Sequence, residues 1–210
     1  MKIVSSLFLV LLFVLALAFP FAFPNPAITT IAVFTLLFAA AATGWNIFSG
    51  YTGYIALGHA VYFGIGSYAI ALMCQDWKIP GGYAPFYFVP LAGLVAAIFS
   101  IVFGWIALRT RRHAFIVITI ATFFIMQLMA YNLRSITNGS AGISLPLPPP
   151  TWTGNGFNIP FYYAALIILL VALAASWWVR NSKYGLGLLA IRDDEDRALG
   201  LGVNTGPFKL

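Results

Sequence analysis

The sequence predicts an all-α fold, a polytopic bundle of about six transmembrane helices, and three observations carry that prediction. Apolar runs of about 20 residues recur along the chain, the length a helix needs to cross ~30 Å of hydrocarbon. Only 8% of the residues are charged and 61% are hydrophobic, where an ordinary soluble domain carries roughly 25% charge. Nothing alternates apolar and polar with period two, as the strands of a membrane barrel do. The net charge of +6 is then a topology signal, set by where the few basic residues fall. It implies a lipid membrane as the chain's surroundings and no nucleic acid as a partner.

The first run, about Ile3 to Phe19, ends in "PFAFPNP", whose prolines are expected to stop the helix. Its alternative reading is a cleaved signal peptide, because Lys2 charges the start and Ala16-Leu17-Ala18 offers the small residues of a cleavage site. The length of the run favours a retained helix. The second span is expected at about Ala27–Phe48, the third at Ala56–Cys74 and the fourth at Pro85–Leu108. The fifth follows at Ala114–Leu133 and the sixth at Pro160–Val179. "LRTRRH" (Leu108–His113) places Arg109, Arg111 and Arg112 between spans four and five, and Arg180, Lys183 and Arg192 follow span six. The positive-inside rule puts both sites, with Lys2, on the cytoplasmic side. Asp76, Lys78 and the long stretch "RSITNGSAGISLPLPPPTWTGNGFN" then face outward, and both ends lie inside. Trp77, Trp105, Trp177 and Trp178 fall at span ends, where indole rings prefer the interface. The outer stretch reads as irregular or polyproline structure and foremost as a spacer. Asn138-Gly139-Ser140 and Trp152 are its candidates for an outer vestibule or a soluble partner.

Between spans two and three lies "SGYTGYIALGHAVYFGIGSYAIALM" (Ser49–Met73), which carries glycines but no Lys, Arg, Asp or Glu. As one helix, residues 27–74 would extend about 72 Å, so the chain must turn here. A turn without charge is expected at membrane depth, where non-helical backbone is tolerated only under the cover of protein or a water-filled cavity. Broken helices of this kind expose N–H and C=O groups that bind polar ligands in many transporters. Asn46, Gly50, Tyr51, Thr52, Gly53, Gly58 and His59 are therefore candidates to line or gate a substrate path. The competing reading is close packing: Ala56, Ala60, Gly64, Ser67 and Ala71 form one smooth helical stripe that admits a neighbouring helix. His59 has no acidic residue in any span to pair with, so a neutral imidazole hydrogen-bonded to backbone is expected rather than a proton relay or metal ligand.

The tail "SKYGLGLLAIRDDEDRALGLGVNTGPFKL" holds Asp193, Asp194, Glu195 and Asp196, four of the chain's five acids. Tyr184, Leu188 and Ile191 recur at helical spacing, as do Leu186, Leu189 and Ala190, which predicts a short helix with an apolar face. Such a helix either lies solvated under the bundle or docks into a cytoplasmic partner. The chain contains no GxxxxGK[ST] phosphate loop, no HExxH, no GxSxG and no paired carboxylates in a span. No catalytic residue, metal ligand or bound cofactor is expected, and with Cys74 as the single cysteine no internal disulfide can form.

Three stretches, in order, resemble one family. "WNIFSGYTGYIALGHAVYFGIGSYAIALM" (Trp45–Met73) is similar to the "GYTG…SLGHAAFFGIGAY" run in permease subunits of branched-chain amino-acid ABC transporters. "TNGSAGI" (Thr137–Ile143) resembles their outer "TGGSDGI". "YGLGLLAIRDDEDRALGLGVNTGPFKL" resembles their cytoplasmic coupling loop, with its G-x-x-L-x-A-I-R-D-x-E core and later L-G-[IV]-N. The resemblance implies one transmembrane permease domain over residues 1–210, with an ATPase-coupling loop at 181–204. Gly185, Ala190, Ile191, Arg192, Asp193 and Glu195 match the loop's core, and Leu201, Gly202 and Asn204 its end. Asp196-Arg197 and Leu199 depart from the pattern, which bears on which ATPase the loop fits. The resemblance further implies a paralogous permease subunit, two ATP-binding cassette subunits that use ATP, a periplasmic or extracellular substrate-binding protein, and a bacterial inner membrane. Family members continue into further spans past this chain's last residues, so a C-terminal truncation is expected. Urea and short-amide importers share the outline, and a structural or assembly subunit without its own pathway is the rival from another class.

Overall fold

The computed structural model describes residues 2–145, 155–203 and 205–209, with side chains from Leu11 onward outside a few masked positions. Trp152 and Asn204 lie outside the described residues. The described residues are helical with no strand: α1 (Lys2–Ala22), α2 (Pro26–Trp45), α3 (His59–Asp76), α4 (Val89–Ala107), α5 (Arg112–Asn132), α6 (Arg134–Thr137), α7 (Asn155–Asn181), α8 (Lys183–Asp193), α9 (Glu195–Gly200) and α10 (Thr205–Lys209). Four helical stretches are long and apolar enough to cross a membrane: Pro26–Gly50, Ala84–Ala107, Arg112–Asn132 and Gly156–Asn181. α3 reaches 18 residues, about 27 Å, but His59, Gly64, Gly66, Ser67 and Gln75 dilute its apolar character. With α1, whose described apolar part is Leu11–Ala22, these helices make up the six expected runs.

The chain divides into two compact units, Met1–Gly44 with Pro150–Ser176, and Trp45–Pro149 with Trp177–Leu210. In the first unit α1 does not stop at Phe19 as its prolines suggest; it runs through the buried Pro20 to Ala22. Proline removes the N–H that would bond the carbonyl four residues back, here that of Ala16. The Tyr162 hydroxyl on α7 donates to this carbonyl at 2.8 Å, and the Tyr163 hydroxyl donates to Leu17 at 3.0 Å. Tyr162 is buried and stacks on Phe19 with ring centroids 5.7 Å apart. Asn25 opens α2 by accepting the Ala27 N–H at 3.0 Å, a side-chain cap. The Asn158 amide of α7 donates to the Pro26 carbonyl at 3.0 Å and to the Thr30 hydroxyl at 2.9 Å.

In the second unit α3 and α4 pair, with Tyr62 edge-on to Phe99 and Gly66 over the Ala92 carbonyl. α3 ends in a left-handed Lys78 (φ 49°), and the Ile79 N–H closes onto the Cys74 carbonyl at 3.0 Å. α4 ends with the Arg109 guanidinium 4.0 Å over the Trp105 ring. After α5, Thr137 is buried and its hydroxyl donates to Leu133 at 2.8 Å and Ala130 at 2.6 Å. The Asn138 amide donates to Gly142 at 3.0 Å, so this motif is a built cap on the helix end. Among the described residues the small-residue stripe is covered only in part. Ala56 and Ala71 are buried, but Ala60 and Ser67 are exposed, and nothing among the described residues comes within 4 Å of a Cβ placed on Gly64. The face of α3 that meets α4 is the one carrying Tyr62 and Gly66.

Candidate functional site: the glycine-rich break and the tail helices

α2 loosens at its end into a π-helical turn, Asn46–Gly50. The chain then runs irregularly to His59, so α3 begins three residues later than the Ala56 start expected. Ser49 organises this break: its carbonyl accepts the Gly53 N–H at 3.1 Å and its hydroxyl the Ala56 N–H at 3.2 Å. Thr52 donates to the Phe48 carbonyl at 2.7 Å and accepts the Tyr54 N–H at 3.1 Å. The Leu57 N–H reaches the Thr119 hydroxyl of α5 at 3.2 Å, and the Trp45 indole donates to the Ala56 carbonyl at 2.9 Å. These backbone groups thus find partners inside the protein, as buried amides must.

Tyr54 stands at the centre, 1% exposed. Its hydroxyl donates to Glu195 Oε2 at 2.5 Å, and its ring meets Phe115 edge-on with the Arg112 guanidinium 5.8 Å from the ring centre. Tyr54 lies between the membrane-spanning segments. Burial, and then the Glu195 carboxylate, raise its phenol above the ordinary 10.0, so it remains a donor. Arg112 Nη2 donates to the carbonyls of Ile191 at 2.5 Å and Arg192 at 2.7 Å, two of the orphan acceptors at the end of α8. Arg192 Nη1 in turn donates to the Gly50 carbonyl at 3.1 Å. The break, the basic turn before α5 and the tail are therefore gathered at one end of this unit, the latter two being segments that the positive-inside rule assigns to the cytoplasmic face.

The candidate pathway residues take distinct places. Asn46 is exposed, and its amide covers Gly50, where a Cβ would overlap it. Tyr51 is buried against Val179 and Leu188, and Thr52 is buried as a turn former. Gly53 holds φ +71°, a left-handed conformation glycine adopts without strain, with a Cβ position 3.0 Å from Arg192 Cγ. A Cβ on Gly58 would lie 2.5 Å from the Thr119 carbonyl, so the break beds directly on α5. His59 starts α3 edge-on to Tyr62 at 5.8 Å. Its Nδ1 is buried with no hydrogen-bond partner among the described residues, while the ring meets the Ala56 backbone, the kind of partner expected. A cavity of about 10 Å³ lined by Ala56, Gly58, Val61, Tyr62 and Thr119 has room for about one water, so no amino acid fits there in this conformation.

The candidate coupling residues form the tail's frame. Gly185 allows the tight turn out of α7, where a Cβ would overlap the Val179 carbonyl, and Ser182 caps α8 by accepting the Gly185 N–H at 3.1 Å. Ile191 is fully buried with Tyr54, Ala107, Phe115 and Ala198, and Ala190 packs beside them. Asp193 is exposed. Gly202 (φ +87°) ends α9 while the Val203 N–H closes onto Ala198 at 3.0 Å. Within α8, Leu188 and Ile191 face the core; Leu186 is exposed, and Tyr184 stacks on Phe208 at 5.0 Å. Arg192 and Glu195 point back onto the break. Sequence reasoning missed Tyr54, Ser49, Thr119 and Arg112. Nothing in "RTRRH" separates Arg112, which caps α8, from its exposed neighbours Arg109 and Arg111.

Residues 27–210 match the family model described as branched-chain amino acid transport system, permease component. The chain belongs to this permease family. It is 28% identical over 231 residues to the high-affinity branched-chain amino acid transport system permease protein LivM of Escherichia coli K12, covering 98% of this chain and 53% of LivM. LivM of Salmonella typhimurium is 27% identical over the same shares. LivH of E. coli K12 is 27% identical over 181 residues, 80% of this chain and 58% of LivH. The chain spans about half the length of the curated relatives it matches. No solved structure matches. As a family member with several membrane-crossing helices, the permease chain is a multi-pass membrane protein.

Proposed function

We propose that this chain acts in an ATP-binding cassette importer of branched-chain amino acids in a bacterial inner membrane. It supplies helices and the coupling segment of one permease subunit. A paralogous permease completes the pathway, two ATPase subunits consume ATP, and a substrate-binding protein delivers the amino acid. The chain itself binds no cofactor and performs no catalysis. The observation that carries this reading is the junction of α8–α9 with the break, where Glu195 holds Tyr54 and Arg192 holds Gly50. A force applied to the tail reaches, in one step, the backbone between two membrane helices. With no acid in the spans to hold an ammonium group, the substrate would be held by backbone and hydroxyl groups.

The native complex, purified through this chain and reconstituted in vesicles, tests the reading. With ATP on the ATPase side and binding protein on the other, leucine, isoleucine and valine are expected to cross. Transport of urea or short amides in their place overturns the substrate class. Unaltered transport by a complex lacking this chain makes it an assembly subunit.

A further inference from the structure

We propose that Tyr54 is a positioning residue: with Glu195 it forms a latch that keeps the Gly50–Gly58 backbone closed only while α9 stays seated. The inference rests on the transport reading above for its role and on geometry for its existence. The break's internal bonds, through Ser49 and Thr52, tie it to itself and let it move as one piece. Beyond the Trp45 indole of α2 on the Ala56 carbonyl, its polar ties run to two sides. One side reaches α5 through the Leu57 N–H and Thr119. The other reaches the tail through Tyr54–Glu195 and Gly50–Arg192.

The tail is jointed where those ties attach. Arg112 holds the last carbonyls of α8 to the start of α5 and so fixes α8. Asp194 alone separates α8 from α9, in an extended conformation (φ −158°, ψ 111°), and caps α9 by accepting the Arg197 N–H at 3.0 Å. α9 is thereby a short rigid piece on a one-residue joint, with Glu195 as its first residue. Rotation at Asp194 carries Glu195 away from Tyr54 while α8 stays anchored. The phenol is then left buried without its charged acceptor, a costly state that favours opening of the break. Glu195 is half-buried against the break, and the tail surface open to another protein is made by Asp193, Asp196 and Arg197 with the exposed Leu186, Leu199 and Leu201, beside an Arg192 that is itself exposed.

The test is amide hydrogen exchange of the 50–58 segment in the native complex, read beside transport per ATP hydrolysed. Tyr54→Phe keeps the ring and its Phe115 contact but removes the bond; Glu195→Ala removes the other half, and Glu195→Gln is a milder second variant. Each of Tyr54→Phe and Glu195→Ala is expected to speed exchange about tenfold, the scale of one hydrogen bond to a charged group. The double variant is expected to match either single one, and transport per ATP to fall while ATP hydrolysis persists. Asp76→Asn, exposed at the end of α3 away from the break, is expected to change none of these. Exchange within twofold of wild type in both single variants overturns the latch, as does a double variant whose effect is the product of the two. A wild-type complex that moves none of the three amino acids would defeat the substrate reading, while the exchange data would still judge the latch.

Discussion

Two interrupted helices are repaired in this chain by different chemistry. In the unit containing α1, Pro20 strips one hydrogen bond from a helix, and the neutral hydroxyls of Tyr162 and Tyr163 close the gap from α7. In the unit containing α3, glycines interrupt the chain between α2 and α3, and Arg192 and Glu195 close it from the tail, which Arg112 in turn holds to α5. The neutral repair satisfies the Ala16 carbonyl, which Pro20 leaves without its helical donor in an apolar setting, so its release is costly. The charged repair uses groups that water also solvates well, so its release costs less than burial alone would suggest. It also runs through a one-residue joint at Asp194. The first is a seam and the second a clasp.

The largest expected effect probes how firmly the break is bedded on α5. Gly58→Ala places a methyl 2.5 Å from the Thr119 carbonyl oxygen, a backbone atom that cannot step aside without shifting a helix. A cost of about 2 kcal/mol is expected, in the range of overpacked sites, read as a lowered thermal midpoint in detergent. Gly64→Ala, five residues from the start of α3 and facing open space, is expected to be neutral or to stabilise by up to about 1 kcal/mol through helix propensity. Equal midpoints for the two variants would show that the break does not rest on α5.

How much of this the sequence reveals follows from the range of each cause. Span existence was legible because it depends on local apolar length, and the runs around α2, α4, α5 and α7 stand where the residues place them. Continuity of α1 through Pro20 was not legible, because the partner of the Ala16 carbonyl lies 146 residues away. The break was legible from arithmetic on helix length, but its repair was not. Charge is missing from "SGYTGYIALGH" because the tail brings it, and no local pattern in either segment records the pairing of Tyr54 with Glu195. The small-residue stripe was legible as a smooth face, but spacing does not say what covers it.

A second, smaller effect tests the seam. Tyr162→Phe removes the donor to Ala16 and is expected to cost about 1 kcal/mol. In a Pro20→Ala background residue 20 regains its N–H, the helix supplies its own donor, and the same substitution is expected to cost nearly nothing. Strict additivity in this cycle would mean that Tyr162 acts through packing on Phe19 and not by mending the helix.

The smallest effect separates the clasp from the seam by charge. The folded Tyr54 phenol titrates above its unfolded value of 10.0, first through burial and then through the Glu195 carboxylate. Below that value the phenol is protonated in both states and its contribution to stability is whole. As pH rises past it, the unfolded phenol ionises while the folded one holds its proton, so unfolding gains a proton-release term and stability falls. The stability advantage of wild type over Tyr54→Phe is therefore expected to be constant up to about pH 9 and to shrink by about 0.8 kcal/mol near pH 10.5. The difference between the two proteins cancels the titration of lysines and of the other tyrosines, which both share. A constant gap across that range would mean that Tyr54 ionises as readily in the folded chain as in water, and the Glu195 carboxylate could not then be its hydrogen-bond partner.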